Sequence, residues 1–250
     1  MNMPTHERVV AVTGASRGIG AAIAVELARR GFTVACLTRK GLGVETPVPA
    51  GLAGRLLSVQ CDVTDEQSLA QAFDRVASEA GGLHALVNNA GIHVESPSNQ
   101  MTSESFEQVM ATNTTAVFAA CRLAYPHLLK AGSGMIVNIG SFFDRIGVKR
   151  NLAYCASKAA VGAITRCLAV EWASKGIRVI DIAPGYIQTD LNRAVLDSGP
   201  LHDYLKRRIP GGAPGAAEDV ARLIGALLAE DIPFLTGETI YLDGAQGIAH

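Results

Sequence analysis

One alternation runs through this chain from end to end. Short apolar runs rich in β-branched residues are each followed by a longer stretch with helical periodicity. The apolar runs are Arg8 to Thr13, Phe32 to Thr38, Arg55 to Cys61, Leu83 to Val87, Met135 to Ile139, Ile177 to Ile182 and Glu238 to Leu242. The first intervening stretch turns Ile23, Leu27 and Ala28 inward and Glu26, Arg29 and Arg30 outward, and Gly31 ends it. The second opens at Thr64 with a Thr-x-x-Gln capping box to Gln67 and turns Leu69, Phe73, Val76 and Ala77 inward. Further helices are expected from about Ser103 to Lys130, from Tyr154 to Lys175, up to about Arg208, and from Ala216 to Glu230. Strand and helix in strict succession imply an α/β fold: a doubly wound parallel sheet of seven strands, three layers deep, with helices on both faces and right-handed crossovers. Lys40 to Gly54, rich in Gly and Pro, reads as a loop and not as a linker between domains. No repeat or break in composition divides the chain, so residues 1–250 read as one domain.

The first unit is the most informative. Gly14, Gly18 and Gly20 fall at the turn between the first strand and its helix, in the spacing G-x-x-x-G-x-G. Glycines there let a backbone approach a pyrophosphate, which the helix N-terminus attracts. The expected architecture is therefore Rossmann-like and binds a dinucleotide. A glycine trio alone is a weak signal; a strand before it and a helix after it strengthen it.

The chemistry concentrates between Ser141 and Lys158. Tyr154 and Lys158 are four residues apart and share a helix face. Ser141 ends a buried strand, where open α/β sheets place ligands. A free phenol, with a pKa of about 10, is a poor base at neutral pH. An ammonium ~4 Å away, at an effective dielectric of ~20, favours the phenolate by about 4 kcal/mol, which would bring Tyr154 near neutrality. That is where general acid/base catalysis works best.

Composition excludes other classes. Formal net charge is −1, which points to neither nucleic acid nor an anionic membrane. No apolar run has the length of a membrane span, and the N-terminus lacks a signal-peptide core. Cys36, Cys61, Cys121, Cys155 and Cys167 are scattered without a CxxC, as reduced thiols of a cytoplasmic protein are. Cys155 reads as a packed thiol, since no histidine lies near it in sequence. His84 and His93 are isolated, and no metal site is expected.

Taken together, the motifs resemble the short-chain dehydrogenase/reductase family in its single-domain form. They are T-G-A-S-R-G-I-G (Thr13 to Gly20), Asp62-Val63, N-N-A-G (Asn88 to Gly91), Asn113, Ser141, Y-C-A-S-K (Tyr154 to Lys158) and P-G-Y-I-Q-T (Pro184 to Thr189). They stand in the family's order and cover about residues 7 to 245; each is weak alone. The C-terminal T-G-E-T-I-Y-L-D-G (Thr236 to Gly244) is similar to that of 3-oxoacyl-[acyl-carrier-protein] reductases.

The resemblance implies roles. Tyr154 would exchange the proton with the substrate oxygen, Ser141 would hydrogen-bond that oxygen, and Lys158 would hold the nicotinamide ribose. Asn113 would distort its helix and hold a water that relays protons to Lys158. Gly14, Ser16, Arg17, Gly18, Ile19 and Gly20 would cradle the pyrophosphate. Asp62 and Val63 would meet adenine, while Asn89, Ala90 and Gly91 would run along the adenosine ribose. Pro184, Gly185, Ile187 and Thr189 would face the nicotinamide. An NAD enzyme places a carboxylate at the end of strand two, which would repel a 2′-phosphate. Here the strand ends Thr38-Arg39, and Arg39 and Arg17 offer donors to that phosphate, so NADP(H) is preferred over NAD(H).

The substrate is less legible. Phe142 and Phe143 either line an apolar pocket with Ser141 and Tyr154 or pack against the sheet. Arg145, Lys149 and Arg150 either attract an acidic substrate or solvate a loop. Lys175 matches a basic position through which carrier-protein reductases dock their partner, so the substrate is a small carbonyl or alcohol compound or an acyl thioester on carrier protein or CoA. The segment from about 186 to 215 reads as a lid over substrate. Ala156, Ala159, Ala160 and Ala163 allow close helix approach, and the resemblance implies a homotetramer or homodimer. The leading reading is reduction of a ketone or 3-oxoacyl compound with NADPH. The rivals are oxidation of a sugar, polyol or hydroxy acid, and a catalytically silent NADP(H) sensor.

Overall fold

The computed structural model describes residues 4–190, 192, 198–230 and 232–249. Seven of its strands form one parallel sheet: β1 (Val9–Thr13), β2 (Thr33–Thr38), β3 (Leu56–Gln60), β4 (Ala85–Asn88), β5 (Gly134–Ile139), β6 (Ile177–Pro184) and, last in the chain, β9 (Thr239–Leu242). Their order is β3-β2-β1-β4-β5-β6-β9. Direction along the sheet reverses between β1 and β4, so a crevice opens beyond the carboxyl ends of these two strands. A two-stranded ribbon of β7 (Ile187–Gln188) and β8 (Gly215–Ala216) was not foreseen; two residues carry no readable period.

Both faces of the sheet are covered, which is why its strands are apolar at consecutive positions. Within β1, Val9 and Ala11 pack with Leu69 and Phe73 of α2 (Glu66–Ala80), and with α4 (Ala116–Lys130) and α5 (Leu152–Trp172). Val10 and Val12 face the other way, toward Ile23 and Leu27 of α1 (Gly18–Arg29) and Val220 and Ile224 of α7 (Ala217–Ala229). The connection from β2 to β3 contains no α-helix, only a turn of 3-10 helix at Ala53–Arg55. There the loop itself covers the sheet: Val44 and Leu52 pack onto the α1 side, and the Glu45 amide donates to the Ser16 carbonyl at 2.8 Å. No helix among the described residues is long and apolar enough to cross a membrane.

Three local expectations are corrected. The cap of α2 is Asp65 and not Thr64: the Asp65 carboxylate accepts from the Gln67 and Ser68 amides, while the Thr64 hydroxyl donates to Asp62. A carboxylate is the stronger acceptor at the positive end of a helix. Ala72, not Ala77, completes the buried stripe of α2, following Leu69 by three residues. The helix expected from Ser103 to Lys130 is two helices, α3 (Ser103–Met110) and α4, joined by a π-helical turn at Ala111–Thr115. Of the segment expected as a lid, α6 (Pro200–Arg208) is a helix, and residues 191 and 193–197 lie outside the described residues.

Candidate active site

The carboxyl end of β5 and the first turns of α5 meet as the motif spacing requires. Ser141 follows Gly140 in extended conformation, and its Oγ accepts from the Phe143 amide at 3.3 Å. Tyr154 and Lys158 project from α5 into the same cleft, which has a volume of about 370 Å³. The cleft also brings in Ile19, Asn89, Gly91, Pro184, Gly185, Ile187 and Thr189. A larger hollow of about 460 Å³ lies behind α1, against Pro47, Pro49 and Arg222. It holds none of Ser141, Tyr154 and Lys158, so the smaller cleft carries the chemistry.

Electrostatics there differ from expectation. The Lys158 ammonium donates to the Ile139 carbonyl at 2.7 Å and lies 5.6 Å from the centre of the Tyr154 ring. Burial pulls its pKa down to about 8, with the charge of Asp181 opposing. Tyr154 is not brought toward neutrality. Burial pushes its phenol above the ordinary range, and the hydrogen bond with Ser141 only partly opposes this. Desolvation of a phenolate outweighs an ammonium that is aimed elsewhere. At neutral pH the Tyr154 proton therefore stays on.

Asn113 sits in the π turn and is fully buried. Its Oδ1 accepts from the Ile92 amide at 2.8 Å, and its Nδ2 donates to the Ile92 carbonyl and to Ser157 Oγ. The amide thus pins the backbone just after Gly91, whose missing β-carbon would stand 3.2 Å from Asn113 Oδ1 and 3.8 Å from Lys158 Nζ. A π turn re-aims one side chain without ending the helix.

The other expected binding residues follow the carboxyl ends of β1, β2, β3 and β4, with Thr189 just after β7. Gly14 has φ +64, and a β-carbon on Gly20 would fall 2.2 Å from the Gly14 carbonyl oxygen. The Asn89 side chain donates to the Thr13 and Gly14 carbonyls, and Thr13 Oγ1 accepts from the Asn89 and Ala90 amides. The two loops are thereby stitched together, with Gly18 packed beside Thr189. Arg17 and Arg39 are exposed. Thr38 Oγ1, by contrast, is buried with no hydrogen-bond partner among the described residues. Asp62 is exposed, and its Oδ1 takes both Thr64 donors; these bonds, then the charge of Arg39, hold its carboxyl below the usual range. Val63 packs partly into the core on the α2 side. Thr189 is fixed by Asn192, whose Oδ1 accepts from the Thr189 amide at 2.7 Å.

On the substrate side, Phe142 and Phe143 wall the cleft. Both are buried, with ring centres 4.8 Å apart and planes tilted by 54°. Two neighbours were missed. Tyr186 meets both phenylalanines edge-on, and His93 lies 4.7 Å from the Tyr154 ring and bonds Asn151 Oδ1. Their signal was position alone: Tyr186 directly follows Pro184-Gly185, and His93 comes two residues after Gly91. Arg145 is exposed, and its guanidinium lies over the Tyr241 ring at 3.6 Å and pairs with Asp243. Burial pushes the Cys155 thiol up, away from a nucleophilic thiolate.

The family model described as enoyl-(acyl carrier protein) reductase matches residues 14–245. The chain belongs to the short-chain dehydrogenase/reductase family. Members are oxidoreductases that act on CH–OH groups and bind nicotinamide dinucleotides. This short-chain dehydrogenase/reductase is 36% identical over 250 residues to the 3-oxoacyl-[acyl-carrier-protein] reductase MabA of Mycobacterium tuberculosis, covering 99% of this chain and 96% of that one. It is 38% identical over 239 residues to the glucose 1-dehydrogenase of Gluconobacter oxydans, covering 94% and 90%. A short-chain dehydrogenase of Burkholderia cenocepacia, solved in complex with NADP, superposes with a TM-score of 0.88 at 34% identity, covering 98% of this chain and 99% of that one.

Proposed function

We propose that this protein reduces a ketone, of the 3-oxoacyl kind or another carbonyl compound, to a secondary alcohol with NADPH. The observation that carries the reading is one cleft holding Ser141 and a Tyr154 that keeps its proton at neutral pH. Reduction needs a proton donor at the oxygen, and a protonated Tyr154 can be that donor; oxidation through the same groups needs the phenolate and would speed up as pH rises. When bound, NADPH supplies the hydride. Ser141 Oγ and Tyr154 Oη hold the substrate oxygen between them, and Tyr154 releases its proton as negative charge develops there. Lys158, anchored on the Ile139 carbonyl, would hold the nicotinamide ribose, and Asn113 keeps the Gly91–Ile92 backbone in place. Phe142, Phe143 and Tyr186 exclude water and accept an apolar substituent.

The residues suit the dinucleotide. Gly14 and Gly20 have no room for a β-carbon, which would let the backbone at the N-terminus of α1 come close to a pyrophosphate. Thr38 Oγ1 is an unused buried hydroxyl at the end of β2, beside Arg39, and β2 itself does not end in the carboxylate that would repel a 2′-phosphate. Asp62 faces Arg39 and tempers its charge without removing it. Replacing Arg39 with alanine should weaken NADPH at least tenfold, ~1.4 kcal/mol, and leave NADH nearly unchanged. Fluorescence titration of both dinucleotides reads this. Equal loss for the two would contradict the phosphate site. The whole chain acts as one domain, and α6, from the segment expected as a lid, closes over substrate. Exposed Phe118 on α4 and Val170 on α5 support assembly into a homodimer or homotetramer.

A further inference from the structure

Beneath the Ser141 turn lies a charged group with no part in the reaction just described. Asp181, in the middle of β6, is 0% exposed. Its side chain fills a slot left by two glycines. A β-carbon on Gly140 would fall 2.5 Å from Asp181 Oδ1, and one on Gly162 of α5 would fall 3.8 Å from Oδ2. Thr239 Oγ1, from β9, donates to Oδ2 at 3.1 Å. Oδ1 has no hydrogen-bond partner among the described residues. A carboxylate so placed costs free energy unless an opposite charge offsets it.

That charge is Lys158. Its ammonium holds the carbonyl of Ile139, and the Asp181 carboxylate lies against Gly140, the next residue, so the two charged groups meet consecutive residues of one strand end. Lys158 is itself only 5% exposed, and Gly162 stands one turn beyond it on α5. Burial drives the two toward neutrality from opposite sides, the amine down to about 8 and the carboxyl up to about 6, and each charge opposes the other's loss. The remaining charges facing Asp181 are few. Asp144, in the turn after β5, works against its ionisation; Tyr241 of β9 binds Asp144 Oδ2 at 2.9 Å, and Arg145 covers the Tyr241 ring. Arg166, exposed on α5, approaches the slot from the Gly162 side.

We propose that Asp181 is the buried counter-charge of Lys158, a positioning residue that keeps the amine protonated while it holds the Ile139–Ser141 strand end. The inference rests on the function proposed above for Lys158, but its test does not. In protein labelled with ¹³C at lysine Cε, the Lys158 signal, identified by its disappearance in Lys158→Met, should titrate near pH 8. Asp181→Asn keeps the shape and the Thr239 hydrogen bond and removes the charge. The Lys158 midpoint should then fall by about one pH unit. The coupling is reciprocal. In Lys158→Met, the Asp181 carboxyl signal should titrate at higher pH than in the wild type. This second arm decides the matter if Asp181→Asn does not fold. Either midpoint left in place would overturn the proposal, and a merely structural Asp181 would lower the melting temperature while moving neither. Turnover enters neither titration, so a protein inactive on every carbonyl compound would defeat the proposed reaction and leave this coupling standing.

Discussion

Tyr154→Phe is expected to lower carbonyl reduction by about a thousandfold while NADPH binds as before and the melting temperature hardly moves. The substitution removes one oxygen from a half-buried ring that stays packed against Phe143 and His93. What disappears is the proton donor and its bond with Ser141. The pH dependence has a defined sign. Burial raises the Tyr154 pKa, so the protonated form needed for reduction persists through neutrality and is lost only at strongly alkaline pH. Reduction should therefore be flat in Tyr154's contribution between about pH 6 and 8. Oxidation of the product alcohol should rise with pH over the same range. Steady-state rates in both directions, on wild type and variant, measure this. A variant that retained most of its activity would remove Tyr154 from the chemistry.

Gly20→Ala should have the largest effect of any single methyl group. The added carbon would sit 2.2 Å from the Gly14 carbonyl oxygen and 2.5 Å from Asn89 Nδ2. Backbone cannot rotate away as a side chain can, so the turn between β1 and α1 must open and the Asn89 bonds to Thr13 and Gly14 must break. We expect a stability loss of about 2–3 kcal/mol by urea unfolding and NADPH affinity reduced at least tenfold. Ala21, beside it in α1 and already carrying a β-carbon, shows that the helix itself tolerates the group. Unchanged binding in Gly20→Ala would place the pyrophosphate elsewhere.

The strands were legible because β-branched runs buried on both faces leave little choice of structure. The glycine turn was legible because close approach excludes every larger residue. Features decided by competition at a distance were not. Thr64 loses its capping role to Asp65, a contest between neighbours that both fit the pattern. The direction of the Tyr154 shift depends on how deeply its hydroxyl is buried and where the Lys158 ammonium points, and neither follows from a four-residue spacing. Asp181 reads in sequence as one of two charges, with Arg178, in an otherwise apolar strand; only the sheet brings Gly140 from the end of β5 and Thr239 from β9 around it. His93 reaches Tyr154 because Asn113 fixes the backbone at Ile92 and Asn151 holds the His93 ring, a contact spanning three separate segments.

The central claim is that hydride passes to a carbonyl carbon in the cleft between Ser141 and Tyr154. The direct measurement is turnover of NADPH carrying deuterium at both C4 positions with a panel of ketones and 3-oxoacyl thioesters, followed by mass spectrometry of the products. The account predicts a secondary alcohol carrying one deuterium on the carbinol carbon, formed faster with NADPH than with NADH. Unlabelled products, or a protein that oxidises polyols with NAD and reduces none of these carbonyl compounds, would contradict it.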